Sequence, residues 1–348
     1  MNKILITAVI IIVVGIGLWY FLSTPFLSTP KQPVEKLVVY TSRDQTYSEP
    51  ILKKFEEETG IKVLAVYDTG AIKTVGIANK LIAEKNNPQA DVFWNSETIR
   101  TIKLKNEGVL ASYCSPSAQD IPDAFKDAEC YWTGFGARAR VIIYNTDLLT
   151  RENVPESIFD LTLPEWRGKV ALGRPWLGTM STHHAALFLT LGDEKAKEYF
   201  EALKANDIQI LTGNSLVRDS VARGEYPVGI IDTSDAMEAF LRGLPVDIVY
   251  PDQKEDEIGA LIIPNTISLI KNGPNPDNGK KFIDFMLSKR IEQELAYSRS
   301  SQIPLRDDVP APEHVKRLYE LKVMDIDLNA VAEKVEESDK YLLGLFGE

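Results

Sequence analysis

The chain has 348 residues, of which 44% are hydrophobic and 26% are charged, as in folded globular proteins. This length exceeds what one hydrophobic core usually serves, so we expect two lobes. With 39 basic and 50 acidic side chains, the formal charge is −11 at pH 7. Such a charge argues against a nucleic-acid-binding protein, because that class needs a basic face.

The amino terminus carries an uncharged apolar segment, Ile4 to Leu22, directly after Lys3. A helix of this length can cross a bilayer. The sequence that follows, "STPFLSTPKQP", lacks the small-x-small site of a cleaved signal peptide. We therefore expect residues 1–35 to form an uncleaved membrane anchor and a tether, with a cleaved signal as the alternative. The basic residue before the segment places the remaining chain outside the cytoplasm, in the periplasm or at the cell surface.

The next part of the chain alternates strand and helix patterns. Ser48 as N-cap, Pro50 in the first turn and Gly60 at the end predict a helix over 48–60. Such alternation is typical of a parallel sheet flanked by helices, so we predict an α/β fold. The predicted strands are "KLVVYTS" (36–42), "IKVLAVY" (61–67) and "ADVFWN" (90–95), and the second helix is "KTVGIANKLIAEKNN" (73–87).

Two long extended segments divide the rest of the chain. The first, "ARVIIY" (139–144), leads away from the first unit, and "IGALIIPNTISLIKNG" (258–273) is suited to return to it. Between them, the strand "KVALG" (169–173) begins a second α/β unit. We therefore predict two α/β lobes joined by crossover strands, one from residues 36–138 with 262–348 and the other from residues 139–261.

The two cysteines, Cys114 and Cys130, provide a further indication of compartment. An even number of cysteines in an exported chain favours a disulfide bond, and two unpaired thiols are the alternative. A zinc site is not expected, because the histidines include only the adjacent pair His183 and His184 and lack the spacing of metal ligands.

Polar segments follow the predicted strands at five places. In open α/β sheets, ligands bind beyond the carboxyl ends of the strands. Most of these segments also precede a helix, whose free N–H groups and positive dipole end attract an anion. The candidate ligand-binding residues from these segments are Ser42, Asp44, Trp94, Asn95, Glu97, Gly178, Thr179, Ser181, Asn214, Ser215, Asp232, Ser234 and Asp235.

Each candidate also has an ordinary structural interpretation. The hydroxyl, amide and carboxylate groups could simply cap helices, and Trp94 could belong to a hydrophobic core. Arg138 and Arg140, near the first crossover, could hold an anion, but we expect them to form surface ion pairs.

Several segments, taken in order, resemble a known family. They are "LVVYTSRDQTYSEPILKKFEEETGIKV", "ADVFWNSE", "GVLASY", "EWRGKVALGRPWLGT", "TGNSLVRDSVARGEYPVGIIDTSDA" and "GKKFIDFMLS". Together they resemble the extracellular solute-binding proteins of ABC importers over about residues 36–305. The resemblance is closest to the ferric-iron-binding branch, which also contains binders of phosphonates, phosphorylated sugars and thiamine.

This resemblance implies a two-lobed periplasmic-binding-protein fold of type II. The lobes would close on a small charged solute by hinge motion and deliver it to an ABC permease and its ATPase. It implies a monomer with no catalytic activity and no resident cofactor, whose ligand is ferric iron with a bound anion or a compound bearing a phosphate or phosphonate group.

Relatives that hold ferric iron carry a histidine after the first strand, a carboxylate after the third and a pair of tyrosines. The corresponding positions here are Asp44, Glu97 or Ser96 before it, and Ser234–Asp235. Because no phenolate is offered, the residues favour a solute with a phosphate, phosphonate or carboxylate end over iron. A cationic end on that solute would fit the acidic groups.

Two other function classes remain open at this point. A sensory ectodomain for a membrane partner fits the anchor equally well. An exported hydrolase is a weaker alternative, because the sequence contains no G-x-S-x-G, H-E-x-x-H or G-x-x-x-x-G-K-[ST] motif.

Overall fold

The computed structural model describes residues 35–68 and 74–347. The predicted anchor at 4–22 and almost all of the predicted tether lie outside these ranges. Within them, none of the helices combines the length and the apolar character that a membrane span requires.

The described chain alternates strands and helices. The strands are β1 (Lys36–Thr41), β2 (Lys62–Tyr67), β3 (Val92–Asn95), β4 (Leu110–Ala111), β5 (Thr133–Asn145), β6 (Val170–Gly173), β7 (Gln209–Leu211), β8 (Val228–Asp232), β9 (Val246–Val249) and β10 (Ile262–Ile270). The helices are α1 (Gln45–Thr59), α2 (Val75–Ala83), α3 (Ile99–Asn106), α4 (Gly178–Leu191), α5 (Asp193–Ala205), α6 (Asn214–Ala222), α7 (Thr233–Leu241), α8 (Pro276–Met286), α9 (Lys289–Tyr297) and α10 (Leu328–Phe346).

The first lobe is built on strands β1, β2 and β3, which are parallel. Strand β10 pairs antiparallel with β3, β4 and β5 and extends this sheet. Leu37 and Val39 of β1 are fully buried against Phe55 of α1 and Phe282 of α8. The apolar runs between polar turns thus form a sheet covered by helices, as the strand and helix patterns predict.

The second lobe is built on strands β6, β7 and β8, which are also parallel. Strand β5 joins the two lobes: residues 133–139 pair with β10, and residues 140–144 pair with β8. Every residue of β5 is buried, which fits its central position. The segment 139–144, predicted to lead from one unit to the other, lies in this strand.

Helix α1 begins earlier than the sequence predicts. Its N-cap is Asp44, and Ser48 lies inside the helix, where its hydroxyl donates to the Asp44 carbonyl at 3.0 Å. Predicting Ser48 as the N-cap was therefore wrong. The bonds from the Tyr47 and Ser48 N–H groups to the Asp44 carbonyl begin the helix at the strand end, although residues 45–47 show no apolar periodicity.

The carboxyl-terminal helix contacts both lobes. Helix α10 packs mainly on α4 of the second lobe and also on α3 of the first. Its residues Val331, Val335 and Leu342 share a buried cluster with Val170 and Leu172 of β6. The exact lobe boundaries predicted from the sequence therefore stay a prediction.

Cys114 and Cys130 form a disulfide bond across a separation of 16 residues. It closes the irregular segment between β4 and β5, where the Tyr113 N–H also donates to the Cys130 carbonyl at 2.9 Å. The bond restricts this segment in the unfolded chain, which is the main way that a disulfide stabilises a protein.

Replacing both cysteines, Cys114→Ser with Cys130→Ser, should lower the free energy of unfolding by about 3 kcal/mol, because a loop of this length gains entropy when opened. Equilibrium unfolding in urea measures the difference. Reductant should destabilise the wild type to the same extent and leave the double variant unchanged. Equal unfolding midpoints for the oxidised wild type and the double variant would contradict the expectation.

Candidate functional site

A cleft of about 510 Å³ lies at the carboxyl ends of the strands of both lobes. Its walls are formed by the segments after β1, β3, β6, β7 and β8, together with Arg138 of β5 and Thr74 before α2. The structure brings most of the predicted residues together here, namely Ser42, Asp44, Glu97, Gly178, Thr179, Asn214, Ser215, Asp232, Ser234 and Asp235.

Three predicted residues lie outside the cleft. Trp94 is 1% exposed and packs on Phe135, with ring centroids 5.9 Å apart, as a core residue. Asn95 is buried beneath the cleft, where it accepts a hydrogen bond from the Ser42 hydroxyl at 2.6 Å. Ser181 donates to Asp339 of α10 at 2.7 Å. Their side chains are therefore used by the fold.

The arginines of β5 are not surface residues, so the expectation of surface ion pairs was wrong. Arg138 is 2% exposed and Arg140 is 0% exposed, because β5 runs between β10 and β8. Arg138 also lines the cleft. Two arginines in an otherwise apolar extended run were the signal that could have revealed this, since buried charges need partners.

Other cleft residues were not selected from the sequence. They include Arg43, Tyr47, Thr74, Ser96, Arg174, Leu177, Met180, Thr212, Gly213 and Leu216. Most of them adjoin selected positions on the same loops, so the strand-end rule locates the loops better than the individual side chains.

A buried ion pair forms the floor of the cleft. Arg140 Nη1 lies 2.7 Å from Asp232 Oδ1, and Asp232 Oδ2 accepts hydrogen bonds from Thr179 Oγ1 at 2.8 Å and Asn214 Nδ2 at 3.0 Å. Burial acts to raise the pKa of Asp232, but the charges of Arg140 and Arg138 hold that pKa below its usual value. Asp232 is therefore ionised, and its oxygens are occupied by protein donors.

Glu97 is also engaged by the protein. Its carboxylate accepts hydrogen bonds from the N–H groups of Ile99 at 2.6 Å and Arg100 at 3.0 Å. These N–H groups begin α3, where a negative charge interacts favourably with the helix dipole. Glu97 thus stabilises the start of α3, which is the structural alternative considered for it.

Three arginine side chains face the cleft: Arg43, Arg138 and Arg174. Among residues 35–68 and 74–347, neither Arg43 nor Arg174 forms an ion pair. Arg138 Nε lies 3.8 Å from Asp232 Oδ2. Burial, together with the charge of Arg138, lowers the pKa of Arg43 to about 10, so the side chain stays charged at neutral pH. The cleft therefore presents two guanidinium charges, those of Arg43 and Arg174, that no carboxylate of the described ranges pairs with.

Helix starts add further donors to the cleft. Helices α4 and α6 follow Leu177 and Gly213, which cannot cap through a side chain, and no side-chain cap is found at α1 or α7. The first N–H groups of such helices are available to an anion and lie at the positive ends of the dipoles. Asn214 and Ser215, considered as N-caps, lie instead in the first turn of α6.

Asp235 differs from the other cleft carboxylates. It accepts one long hydrogen bond, from Asn214 Nδ2 at 3.3 Å. Burial and the neighbouring charge of Asp232 raise the pKa of Asp235 to about 6. Near neutral pH it is therefore an ionised group with capacity to accept hydrogen bonds from a ligand.

The acidic side chains of the described ranges do not assemble a metal site. No group of three or more His, Cys, Asp or Glu side chains in residues 35–68 and 74–347 could hold a metal ion. Asp232 and Glu97 are turned toward internal donors, which explains why several carboxylates in one cleft do not make a coordination shell.

Comparison with known proteins identifies the family. Residues 88–330 match the family described as bacterial extracellular solute-binding protein, which is more than half of the chain. The chain belongs to this family. The relatives of this solute-binding protein are periplasmic components of ABC importers. Like them, this solute-binding protein has two lobes and binds a solute.

Three relatives illustrate the range of ligands. The "Major ferric iron-binding protein" of Neisseria meningitidis is 24% identical over 323 residues, covering 90% of this chain and 94% of that protein. The "Putative 2-aminoethylphosphonate-binding periplasmic protein" of Salmonella typhi is 28% identical over 278 residues, covering 78% of each. The periplasmic binding protein AfuA of Actinobacillus pleuropneumoniae, solved with fructose-6-phosphate, is 26% identical with a TM-score of 0.78, covering 90% of this chain and 98% of that chain.

The substitution Asp232→Asn should lower the free energy of unfolding by about 3–5 kcal/mol, because it leaves the charge of Arg140 buried without its partner. Equilibrium unfolding by denaturant measures this change. The matched control is Asp207→Asn, which breaks an exposed pair of the same 2.7 Å separation with Arg167. That control should cost less than about 1 kcal/mol. Equal losses in both variants would contradict a buried pair that holds the cleft floor.

Proposed function

We propose that this solute-binding protein captures a small molecule with a phosphate or phosphonate group at one end and an amino group at the other. One observation carries the proposal: the same cleft contains two arginines without an ion-pair partner in the described ranges and a carboxylate with few protein donors. The arginines are Arg43 and Arg174, and the carboxylate is Asp235. A molecule of the 2-aminoethylphosphonate class has the required charges.

The anionic end is matched by three guanidinium groups and by uncapped helix starts. Arginine binds planar and tetrahedral oxyanions through paired N–H groups, and its charge persists at all physiological pH values. Arg43 and Arg138 are nearly fully buried, so their attraction to an anion is weakly screened by solvent. The first backbone N–H groups of α4 and α6 add hydrogen-bond donors without adding a charged side chain.

The amino end is matched by Asp235. Among the described residues that line the cleft, the numbers of positive and negative side chains are nearly equal. The positive ones are Arg43, Arg138 and Arg174, and the negative ones are Asp44, Glu97, Asp232 and Asp235. A dianion alone would therefore meet repulsion from Asp235. A cationic group on the same solute turns that repulsion into an ion pair.

The size and the donors also weigh against ferric iron as the solute. A volume of about 510 Å³ suits a small organic molecule, since ligand pockets commonly measure about 300–1,000 Å³. The positions that the resemblance assigns to a tyrosine pair hold Ser234 and Asp235. These residues offer no phenolate to a hard trivalent ion. The relatives are named for different ligands, ferric iron in one and 2-aminoethylphosphonate in another, so similarity to them does not by itself favour iron.

In this proposal the protein acts outside the cytoplasm as a monomer, without catalysis. It delivers its solute to an ABC permease and ATPase, and residues 4–22 tether it to the membrane. The family membership and the periplasmic location of the relatives support the site of action and the importer partners. The uncharged apolar segment at 4–22 supports the tether.

The function is tested by titrating the purified protein with 2-aminoethylphosphonate, ethylphosphonate, fructose 6-phosphate and ferric citrate. We expect 2-aminoethylphosphonate to bind most tightly in calorimetry. At 100 times its Kd it should raise the free energy of unfolding by about 2.7 kcal/mol. Stabilisation by ferric citrate alone, or by none of the four, would contradict the proposal.

Replacing Arg174 with Gln should weaken the binding of 2-aminoethylphosphonate by about tenfold, because a charged hydrogen bond to the anionic group is lost. The free energy of unfolding should stay unchanged, since Arg174 forms no ion pair within the described ranges. Calorimetry and denaturant unfolding give the two quantities. The control Arg242→Gln, an exposed arginine after α7, should bind like the wild type. Equal affinities for both variants would exclude Arg174 from the site.

The affinity for 2-aminoethylphosphonate should fall as the pH is lowered through about 6, because protonated Asp235 cannot pair with an ammonium group. The affinity for ethylphosphonate, which lacks that group, should change in the opposite direction, because protonation removes a repelling charge. Since the phosphonate itself also titrates, the measured quantity is the difference between the wild type and Asp235→Asn at each pH. A pH-independent difference for both compounds would remove Asp235 from solute recognition.

A further inference from the structure

Tyr47 connects the two lobes across the cleft. It lies in the first turn of α1 in the first lobe and lines the cleft. Its hydroxyl donates a hydrogen bond to Glu238 Oε2 of α7 in the second lobe, at 2.8 Å. The two residues are 191 positions apart in the sequence, so only the juxtaposition of the lobes brings them together. We name this contact the Tyr47–Glu238 latch.

The acceptor of the latch is held in place by the second lobe. Arg218 Nη1 of α6 donates to Glu238 Oε2 at 2.6 Å, and Arg218 Nε donates to Asp219 at 2.7 Å. Burial and the hydrogen bond to Glu238 raise the pKa of Tyr47 above its usual value. The phenol therefore keeps its proton and remains a donor throughout the physiological pH range.

The donor of the latch is in contact with Arg43, one of the arginines proposed to bind the anion. The guanidinium carbon of Arg43 lies 4.8 Å from the centroid of the Tyr47 ring, a distance at which a cation is attracted to the ring face. Arg43 and Tyr47 line the same cleft. A solute that binds Arg43 therefore also fixes the position of the ring whose hydroxyl reaches Glu238.

We infer that Tyr47 is a positioning residue that couples solute recognition at Arg43 to closure of the lobes through the Tyr47–Glu238 latch. When the solute is absent, the latch favours the closed arrangement. When the solute is bound, the order imposed on Arg43 strengthens the contact and slows release. The link to Arg43 rests on the proposed function, whereas the contact between the lobes does not.

The first test uses the protein without solute. Because both native cysteines are joined in the disulfide, cysteines introduced at exposed Glu57 of α1 and at Arg242 after α7 can be spin-labelled selectively. Dipolar electron resonance then gives the distance distribution between the lobes. In the variant Tyr47→Phe, which loses one hydroxyl, the ratio of open to closed molecules should rise by about tenfold, as expected for a hydrogen bond to a charged acceptor.

The matched control is Tyr341→Phe, which removes a tyrosine hydroxyl that donates to Glu201 at 3.0 Å, away from the cleft. Its distance distribution should equal that of the wild type. Glu238→Ala removes the acceptor instead of the donor and should reproduce the widening seen with Tyr47→Phe. Unchanged distributions in both latch variants would overturn the inference, whatever solute the protein binds.

The second test measures release. The dissociation rate of 2-aminoethylphosphonate in stopped-flow displacement should rise by about tenfold in Tyr47→Phe, with the association rate nearly constant. The Tyr341→Phe control should release at the wild-type rate. If the lobes open more often in Tyr47→Phe but release is not faster, the latch acts on closure alone and its coupling to Arg43 is rejected.

Discussion

The ion pair between Arg140 and Asp232 is the interaction on which the cleft depends. Both groups are buried, and a buried charge without a partner would cost several kcal/mol. The pair joins β5, the strand shared by the lobes, to the end of β8. Its carboxylate also orients Thr179 and Asn214, which belong to α4 and α6. One ion pair thus fixes the relative positions of four elements that form the cleft.

This arrangement determines which groups remain for a ligand. Asp232 is neutralised by Arg140, and Glu97 is satisfied by the start of α3. Arg43 and Arg174 are left without an ion-pair partner among the described residues, and helices α4 and α6 begin without a side-chain cap. Asp235 is left with unused acceptor capacity. A cleft with four carboxylates is therefore able to receive an oxyanion, because two of them, Asp232 and Glu97, serve the protein itself.

The sequence predicts the lobes and the loops that form the site, because strand ends and helix starts leave local patterns. It predicts individual contacts less well. Ser181 follows a predicted strand like its neighbours, but Asp339 from the distant α10 binds it. Tyr47 carries no local sign of its contact with Glu238, and the burial of Arg138 depends on strands that pair from remote parts of the chain. Such contacts are set by tertiary structure, which one sequence without a structure does not reveal.

Strands β5 and β10, which pair with each other, are irregular at neighbouring positions. Gly136 of β5 has a φ of 42°, and the pairing register of β10 shifts between Pro264 and Asn265, beside it. A side chain at Gly136 would meet Gln302 at 2.7 Å, so the position accepts only glycine without rearrangement. A continuous β-ladder resists bending, whereas an interrupted one yields where its hydrogen bonds are irregular. The ladder between β5 and β10 is therefore interrupted just before β5 leaves the first lobe and pairs with β8 of the second.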